Sequence, residues 1–560
     1  MKLFKSFLFN VLFFIFTTLS IILLNLYPLI TLAKKSPPGR TYSLIHNNTQ
    51  DFYFYQALMN EGANGHWLIY DPYTTEDSRP SVIFSYFTVL GKLSRLLRLP
   101  YAYTYHIFRI LSSVLFFLAA FRLIYFLALP NPGLTYLFFL LSAPFFNVES
   151  PYMYWWTGMD PVRRAAYLPH NMFGGFLLIV SVMLILRFYS SKKVKFLLFA
   201  FPLSLVMAFV HTPSLIILLI VLPPTVILYI LLNYKIIKLF GNFKWFFIYW
   251  IVGLLSLAFM VSQTNKGFPW NQYLLWERSL QYPLDKELFG ALGMLLPFGL
   301  LGAIIALLSR KFESVFVATW FAFPLLLIPV ASKLGMSNIR LIQGIPYLSL
   351  AILAITGIDY LINKLVNIPS VIQFAKQNEF TEGYTDTLIN KFKYQRYKKF
   401  INLRLAVYWI IAVLFFAYSS RLISWSVKDQ IREYSPIFGN TYLDDRLHRA
   451  FAFINNNYPP KTTAVSTFYA GNYLPVFTDT VSFIGHTGYT YNLAGKEPEV
   501  QKFFSSKMSP EEAKSFIMNN KITLVFQGPE EKILYPDYLY PGILIPVYDR
   551  PDTAIYELKK

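Results

Sequence analysis

The sequence contains no cysteine and little charge. Without cysteine the chain cannot form disulfides, use a thiolate in chemistry or bind a metal through sulfur. Charged residues make up only 14% of the chain, whereas 55% of the residues are hydrophobic. This balance excludes a soluble globular protein and is typical of a protein that crosses a membrane many times. The net charge of +20 therefore indicates membrane topology rather than a surface for nucleic acid.

Several familiar motifs are also missing. The chain has no Walker phosphate loop, no zinc-ligand spacing and no nucleophile elbow. It has no internal repeat either, which argues against the repeated halves typical of many transporters. Aromatic residues, by contrast, are abundant, at 19% of the chain. Candidate functional residues are therefore expected in the polar and aromatic loops between the hydrophobic runs.

Hydrophobic runs predict an α-helical polytopic membrane protein with about eleven transmembrane helices. The apolar stretch 83–99 carries Lys92, Arg95 and Arg98, which predicts a helix lying on the bilayer surface instead of a span. The predicted spans lie near residues 7–33, 105–129, 134–146, 171–189, 196–211, 214–232, 245–262, 288–308, 315–331, 345–361 and 405–422.

Basic residues predict the orientation of these spans. Lys192, Lys193 and the run 391–404 fall on the same side as Lys2 and Lys5 if the spans number eleven. By the positive-inside rule we expect a plasma-membrane protein with a cytoplasmic N-terminus. The outer loops are then 34–100, 147–170, 263–287 and 332–343, and a basic cytoplasmic loop covers 364–404.

The chain divides into a membrane domain, residues 1–425, and a small soluble α/β domain, residues 426–560, on the outer face. Within the second domain, residues 444–457 predict a helix, and Ser509 predicts the N-cap of another that begins at Pro510. Predicted strands cover 464–468, 522–526, 543–547 and 554–558.

The first outer loop concentrates aromatic and polar side chains. It contains the run His46-Asn-Asn-Thr-Gln-Asp51-Phe-Tyr-Phe-Tyr55, followed by Gly65–Glu76 with Trp67 and Tyr70. Rings beside a few carboxylates suit a site that stacks on sugars or covers a lipid headgroup. The alternative is an aromatic belt at the membrane interface, where Trp and Tyr also gather.

Two further outer loops supply charged groups. The second carries Glu149, Asp160, Arg163, Arg164 and His170, and the loop before the tenth span carries Arg340. A reaction on the outer face cannot use cytosolic nucleotide sugars and needs a donor already moved across the membrane, such as a polyprenyl-phosphate sugar.

Such a reaction needs a carboxylate as general base, which Asp51 fits, and cations for the departing phosphate, which the arginines fit. The alternatives are structural: Glu149 and Asp160 pairing with the arginines of their own loop, and Arg340 extending to lipid headgroups. A divalent cation, Mg²⁺ or Mn²⁺, held by Asp51 with Glu149 is compatible with the sequence, although no spacing demands one.

In combination these features resemble the GT-C superfamily of integral membrane glycosyltransferases, in particular bacterial and archaeal enzymes similar to protein mannosyltransferases that use lipid-phosphate sugars. The resemblance rests on Asp51 in its aromatic run after one span, on the loop Gly65–Glu76, on Pro169-His170 at the start of a span and on Arg340 ahead of a span containing Pro346. The resemblance also includes a small outward-facing domain after the last span.

The resemblance implies a fold, an activity and roles for individual residues. It makes Asp51 the catalytic base or a metal contact, and Glu149, or else Asp160, the second acidic residue. It places Arg340 at the donor phosphate, with Arg163, Arg164 and His170 as second choices. Contacts to the acceptor or the sugar fall to the aromatic loop residues His46, Tyr55, Trp67 and Tyr70.

The sequence also departs from two patterns of these enzymes. Asp51 is followed by Phe52 and not by glutamate, which argues against mannose and a protein acceptor. The paired Trp155-Trp156 precede Thr157 and lie outside the tail domain, which argues against transfer of a preassembled oligosaccharide to asparagine. The expected partners are a polyprenyl-phosphate sugar, a lipid, glycan or protein acceptor, and membrane lipids, with no nucleic acid. The alternatives are a polysaccharide polymerase or ligase, and a transporter or flippase.

Overall fold

The computed structural model describes residues 2–145, 153–233, 236–283, 286–343, 346–365 and 388–559. Helices make up most of the structure up to residue 434, and a small mixed sheet with flanking helices follows. The predicted fold class, an α-helical membrane domain with a small C-terminal α/β domain, is confirmed.

The membrane domain is built from helices of very different lengths. In chain order they are α1 (Lys2–Lys34), α2 (Thr49–Ala63), α3 (Ser85–Leu97), α4 (Tyr101–Phe126), α5 (Pro132–Leu140), α6 (Met153–Gly158), α7 (Pro161–Ala165), α8 (Pro169–Ser191), α9 (Lys195–Val210), α10 (Thr212–Asn233), α11 (Ile236–Thr264), α12 (Trp270–Ser279), α13 (Lys286–Leu292), α14 (Leu295–Leu308), α15 (Phe312–Leu327), α16 (Ile339–Gln343), α17 (Pro346–Leu365) and α18 (Leu388–Tyr434).

Eight helical segments of the described residues are long and apolar enough to cross a membrane. The other three predicted spans coincide with α5, α9 and α17. The predicted span 134–146 is wrong in its length, because α5 has only 9 residues and the chain is extended at Leu141. The eight segments are Leu8–Lys34, Tyr101–Phe126, Pro169–Ser191, Thr212–Asn233, Phe243–Thr264, Glu287–Leu308, Phe312–Leu334 and Leu403–Tyr434.

Strand pairing between distant parts of the chain limits the number of crossings. Strand β1 (Arg40–Tyr42), just after α1, pairs antiparallel with β2 (Tyr442–Asp444), just after α18. The two helices therefore end on the same side of the membrane, and the chain between them crosses an even number of times. Seven of the eight long segments follow α1, so the chain must make at least one further crossing. A total of about eleven spans meets this condition.

The C-terminal domain is organised around a five-stranded sheet in the order β4-β3-β5-β7-β6. Strand β3 runs parallel to β4 and β5, whereas β7 runs antiparallel to β5 and β6. The strands are β3 (Thr463–Val465), β4 (Val481–Ser482), β5 (Leu524–Gln527), β6 (Leu544–Arg550) and β7 (Thr553–Leu558), and the helices are α19 (Leu447–Asn457), α20 (Phe468–Phe477), α21 (Leu493–Phe504), α22 (Pro510–Asn519) and α23 (Pro529–Leu534).

Local chemistry explains where the predictions hold and where they fail. Ser509 caps α22 as predicted: its Oγ accepts from the Glu512 amide at 3.1 Å, and the Glu512 carboxylate accepts from the Ser509 amide at 2.8 Å. The strand predicted at 464–468 ends at Val465. Thr467 donates both its amide, at 2.8 Å, and its hydroxyl, at 2.6 Å, to the buried carboxylate of Glu531, and α20 begins at the next residue.

The last membrane helix continues beyond the predicted domain boundary at residue 426. Helix α18 runs to Tyr434 without a break. Its final turns carry Asp429 and Glu433, which pair with Arg163 of the second polar loop at 2.8 and 2.9 Å. These ion pairs give the end of α18 a tertiary role, and the C-terminal domain starts after it.

Candidate active site

Asp51 lies in the first turn of α2. The Asn48 side chain caps this helix by accepting from the amides of Gln50 and Asp51 at 2.9 and 3.2 Å. A carboxylate in the first turn is favoured by the positive end of the helix dipole. The Asp51 side chain keeps 38% of its surface exposed, so it is held on a rigid element and remains accessible.

Helix α3 fixes the other end of α2. The backbones cross so closely that a Cβ at Gly62 would lie 2.1 Å from the Thr88 carbonyl oxygen, and one at Gly91 would lie 1.9 Å from that of Met59. Lys92 and Arg95 donate to the carbonyls of Gly62, at 3.3 Å, and Ala63, at 2.7 Å, at the C-terminal end of α2. Basic side chains at this end complement the helix dipole. The predicted surface helix 83–99 is therefore also a structural support.

A loop of the C-terminal domain, residues 484–490, covers the face of α2 that carries Asp51. Nε2 of His486 lies 3.4 Å from Oδ1 of Asp51. Thr487 donates its amide and its hydroxyl to Oε1 of Gln50 at 3.0 and 2.8 Å. Tyr489 stacks on Phe54 with ring centroids 4.1 Å apart. The loop therefore contacts the helix at Gln50, Asp51 and Phe54, which share one helical face.

Arg340 of α16 forms a two-pronged ion pair with Glu277 of α12. Its Nε donates to both carboxylate oxygens at 3.0 Å, its Nη2 donates to Oε1, and its Nη1 donates to Gln343 at 3.0 Å. Burial would lower the pKa of Arg340, but the Glu277 carboxylate raises it overall. Burial would likewise raise the pKa of Glu277, and Arg340 lowers it overall. Both groups are therefore charged at neutral pH.

Two tyrosines, Tyr167 and Tyr273, are influenced electrostatically by both Arg340 and Asp51. Burial raises the pKa of Tyr167 and of Tyr273, the charge of Asp51 contributes to the rise, and the guanidinium of Arg340 opposes it. Asp51 and Arg340 are therefore both within electrostatic range of the same two rings. The rings remain neutral hydroxyls at ordinary pH, able to donate or accept hydrogen bonds.

His170 and Tyr55 contact each other near these groups. The two rings are 5.4 Å apart, and Tyr55 stacks on Phe87 at 4.2 Å. Arg340 is within electrostatic range of His170. Burial raises the pKa of Tyr55 and of Tyr489, and the Asp51 carboxylate adds to both shifts. The structure therefore brings Asp51, Tyr55, His170 and Arg340 into one region lined with rings.

Arg163, Arg164 and Asp160 belong to a different arrangement. Besides its two carboxylates on α18, Arg163 lies 3.6 Å from Asp160, whose other contacts include the Ser426 hydroxyl at 2.6 Å. Arg164 donates to the carbonyls of Phe139 and Leu140 at the end of α5, the latter at 3.1 Å. Both guanidinium groups are engaged by protein partners, but only the contact of Arg163 with Asp160 is a pairing within the loop.

The remaining sequence candidates that the structure describes contact groups other than Asp51. His46 is buried between Phe52, Tyr105 and His106, with ring centroids 5.3 to 6.0 Å away. Trp67 and Tyr70 follow the far end of α2, a helix about 22 Å long, and are covered in part by Lys92 and Lys461 at 4.3 and 3.8 Å. Glu149 lies outside the described residues.

Possible metal ligands do not cluster among the residues that the structure places. No group of three or more His, Asp or Glu side chains there could hold a metal ion. Asp51 and His486 form a pair rather than such a group. Because Glu149 lies outside this part of the chain, the predicted pairing of Asp51 with Glu149 stays a prediction.

Sequence reasoning missed Glu277 and His486. Glu277 belongs to the predicted outer loop 263–287, and no motif around it marks it as a functional residue. The structure places it in α12. His486 stands in the run Gly485-His-Thr-Gly488-Tyr489, whose two glycines could have marked a tight functional loop. The domain to which it belongs was predicted without a role.

Comparison with known proteins gives similarity of structure alone. No protein-family model matches the chain, and no curated protein does. Among solved structures, ArnT from Cupriavidus metallidurans bound to undecaprenyl phosphate is 12% identical, with a TM-score of 0.49 over 98% of this chain and 97% of the other. The oligosaccharyltransferase AglB from Archaeoglobus fulgidus, in complex with an inhibitory peptide and a dolichol-phosphate, is 11% identical, with a TM-score of 0.47 over 92% of this chain and 69% of the other. Another structure of the Archaeoglobus enzyme is a complex with Zn and sulfate, at 12% identity and a TM-score of 0.48 over 97% of this chain and 73% of the other.

These likenesses carry no argument about the family or the function of this chain. The similarity extends over nearly the whole chain, but the TM-scores are below 0.5 and the identities are low. Any role of an individual residue therefore rests on the contacts within this chain.

Proposed function

We propose that this protein is a membrane glycosyltransferase that moves a single sugar from a polyprenyl-phosphate donor to an acceptor on the extracytoplasmic face. The observation that supports the proposal is that Asp51 and Arg340 both act electrostatically on Tyr167 and Tyr273, Asp51 raising the pKa of each phenol and Arg340 lowering it. One group is an accessible carboxylate, and the other is a permanently charged guanidinium fork. Direct transfer from a phosphate-linked sugar needs a base and a phosphate partner of these kinds.

The reaction is a direct displacement at the anomeric carbon. The acceptor hydroxyl gives its proton to Asp51, and its oxygen forms the new bond to the anomeric carbon. The bond from that carbon to the phosphate oxygen breaks, and the polyprenyl phosphate leaves with the electron pair. Arg340 stabilises the charge that develops on the leaving phosphate, since guanidinium forks match phosphate oxygens. Displacement from the opposite face inverts the anomeric centre.

The aromatic rings near Asp51 and Arg340 are suited to binding a sugar. Neutral phenols such as Tyr273 and Tyr489 present a flat apolar face and a hydroxyl together. The His170 ring packs edge-on against Tyr55 at 5.4 Å. We assign the acceptor to the side of Asp51 and the donor phosphate to the side of Arg340. A lipid, a glycan and a protein all remain open as acceptors.

The topology of the proposal follows the basic loops. The N-terminus is cytoplasmic, and the loop carrying Asp51 and the C-terminal domain packed on it face outward. Membrane lipids surround the helices, and the polyprenyl chain of the donor enters from the bilayer. A divalent cation, Mg²⁺ or Mn²⁺, is compatible with a charged phosphate at this site.

Sugar transfer by the purified protein tests the proposal. A panel of synthetic polyprenyl-phosphate sugars is offered to the parent, to Asp51→Asn and to Asp77→Asn, with EDTA or with added Mg²⁺ or Mn²⁺. Asp77 is a matched control, being an exposed aspartate of the same loop. We expect turnover by the parent and by Asp77→Asn, and a loss of about 10²- to 10⁴-fold in Asp51→Asn with donor binding retained.

Two results would contradict parts of this proposal. Equal turnover by the parent and Asp51→Asn would make Asp51 structural and move the role of base to Glu149. Neither turnover nor binding of any donor in the panel would reject the transferase function, and transport assays would follow.

A further inference from the structure

The C-terminal domain contributes a group directly to the carboxylate of Asp51. His486 is the hydrogen-bonding partner of this carboxylate in the described part of the chain, at 3.4 Å from Oδ1. The imidazole itself is buried, with 8% of its side chain exposed, whereas Asp51 keeps 38%. A buried histidine aimed at an accessible carboxylate, from a separate domain, is more than surface packing requires.

The backbone determines which nitrogen of His486 carries the proton. The amide of Gly488 donates to Nδ1 at 3.0 Å, so Nδ1 acts as an acceptor and is unprotonated. In the neutral imidazole the proton is then on Nε2, the nitrogen facing Asp51. His486 therefore donates to Asp51 and cannot accept a proton from it at that atom. This geometry excludes a simple proton relay from Asp51 to His486.

The loop that carries His486 is held in place on both sides. The amides of Gly485 and His486 each donate to the Thr490 hydroxyl at 3.1 Å. A Cβ at Gly485 would lie 2.4 Å from the carbonyl oxygen of Gly471 in α20, so only glycine permits this close approach. On the other side, Thr487 binds Gln50 and Tyr489 stacks on Phe54. The imidazole is thus positioned before any substrate binds.

A second contact ties the same domain to the first polar loop. Nζ of Lys496 in α21 lies 2.8 Å from the carboxylate of Glu76, and the Tyr73 hydroxyl donates to the carbonyl of Asn472 at 2.9 Å. The Tyr73 ring is also 5.7 Å from His486. The loop 484–490 is therefore one part of a broad, fixed contact and not an isolated touch.

We propose that His486 is a positioning residue, whose Nε2 proton holds Oδ1 of Asp51 so that Oδ2 points to the acceptor hydroxyl. The C-terminal domain then completes the active site instead of merely covering it. This inference rests on the proposed function, because it assigns His486 a part in the same transfer reaction. A carboxylate fixed by one hydrogen bond presents its second oxygen in a defined direction, which favours proton transfer.

Kinetics of three variants test the inference. His486→Ala removes the donor, His486→Gln replaces it with an amide of similar reach, and His448→Ala is the control. His448 is an exposed histidine of the same domain that packs on Phe451 and Phe477. In His486→Ala we expect kcat to fall about 10- to 100-fold, as for other residues that orient a functional group, with the donor KM unchanged. His486→Gln should restore most of kcat, and His448→Ala should match the parent.

A measurement independent of turnover accompanies the kinetics. Carbodiimide-driven amidation of carboxylates is followed by mass spectrometry of the peptides containing Asp51 and Asp77. We expect His486→Ala to accelerate labelling of Asp51 but not of the exposed Asp77, because one carboxylate oxygen is released. His486→Gln should label Asp51 at the rate of the parent.

The outcomes separate this inference from the proposed function. A kcat in His486→Ala equal to that of the parent would overturn the positioning role. So would a loss of kcat in His486→Ala that His486→Gln does not restore and that comes with a lowered Tm. In both cases the transferase function stands. If the parent transfers no sugar, the proposed function fails by itself. The labelling rates then decide whether His486 holds Asp51, and equal rates in the parent and His486→Ala would overturn that as well.

Discussion

At the scale of single residues, the charged groups divide into those that support the structure and those left for chemistry. Arg163 and Arg164 are engaged by carboxylates and by helix carbonyls, respectively. Arg340 also has a carboxylate partner, Glu277, but Arg340 and Asp51 both influence the pKa of Tyr167 and of Tyr273. Arg163 also acts on Tyr167, so the influence on Tyr273 is what separates Arg340 from the other two.

The planar guanidinium geometry of Arg340 should contribute more to kcat/KM than its positive charge alone. We expect Arg340→Lys to lower kcat/KM for the donor about 10- to 100-fold, because an ammonium group cannot bridge Glu277 and a phosphate with planar, paired hydrogen bonds. The measurement is steady-state kinetics with the preferred donor of the panel. Arg278→Lys is the control, since Arg278 is an exposed neighbour of Glu277 on the same helix. Parent kinetics in Arg340→Lys would reduce the Arg340–Glu277 ion pair to a purely structural one.

At the scale of elements, α2 and α3 form a unit that sets the position of Asp51. Their backbones cross at Gly62 and Gly91, so neither helix can move without the other. The sequence predicted α3 only as a surface helix, because its basic residues and exposed leucines satisfy that pattern. The sequence pattern does not reveal which carbonyls Lys92 and Arg95 reach, since these belong to another helix.

Filling the crossing point should displace α2. A Cβ at Gly91 would lie 1.9 Å from a backbone oxygen that cannot rotate away, so we expect Gly91→Ala to destabilise the protein by about 1–3 kcal/mol and to reduce sugar transfer. The measurement is thermal unfolding of the purified protein together with the transfer assay. Gly133→Ala is the control, because the nearest atom to a Cβ there is 3.8 Å away. An unchanged Tm and activity in Gly91→Ala would show that the crossing tolerates displacement.

At the scale of the whole molecule, the pairing of β1 with β2 places the ends of α1 and α18 on one side of the membrane. This agrees with the odd number of spans predicted from the basic loops, although only eight segments of the described residues meet the length and hydropathy requirements alone. A further crossing would then use chain that does not meet these requirements by itself, which is possible where neighbouring protein covers backbone that lipid could not.

The absence of cysteine allows a direct test of this topology. Single cysteines in place of Asp77, Lys507 and Lys193, all exposed positions, have no background labelling. With a membrane-impermeant maleimide on intact cells, we expect labelling at 77 and 507 and labelling at 193 only after permeabilisation. This outcome follows if the first loop and the C-terminal domain share the outer side. Labelling of 77 and 507 from opposite sides would contradict the β1–β2 pairing.

The sequence by itself determined the class of molecule, most of its hydrophobic spans, the separate C-terminal domain and the candidate groups Asp51 and Arg340. These features are local: hydrophobicity, charge and capping residues act within one turn or one helix. It even located the α22 cap at Ser509, because that hydrogen-bond pattern closes within four residues.

Only the tertiary structure decided which of these groups meet. Asp51 and His486 are 435 residues apart in the chain, and Arg340 and Glu277 are 63 apart. No periodicity or spacing connects such pairs, because their contact depends on how α2, α12, α16 and the C-terminal domain pack together. The same packing assigned Arg163 to α18 and Arg164 to α5, although the sequence offered both as phosphate ligands.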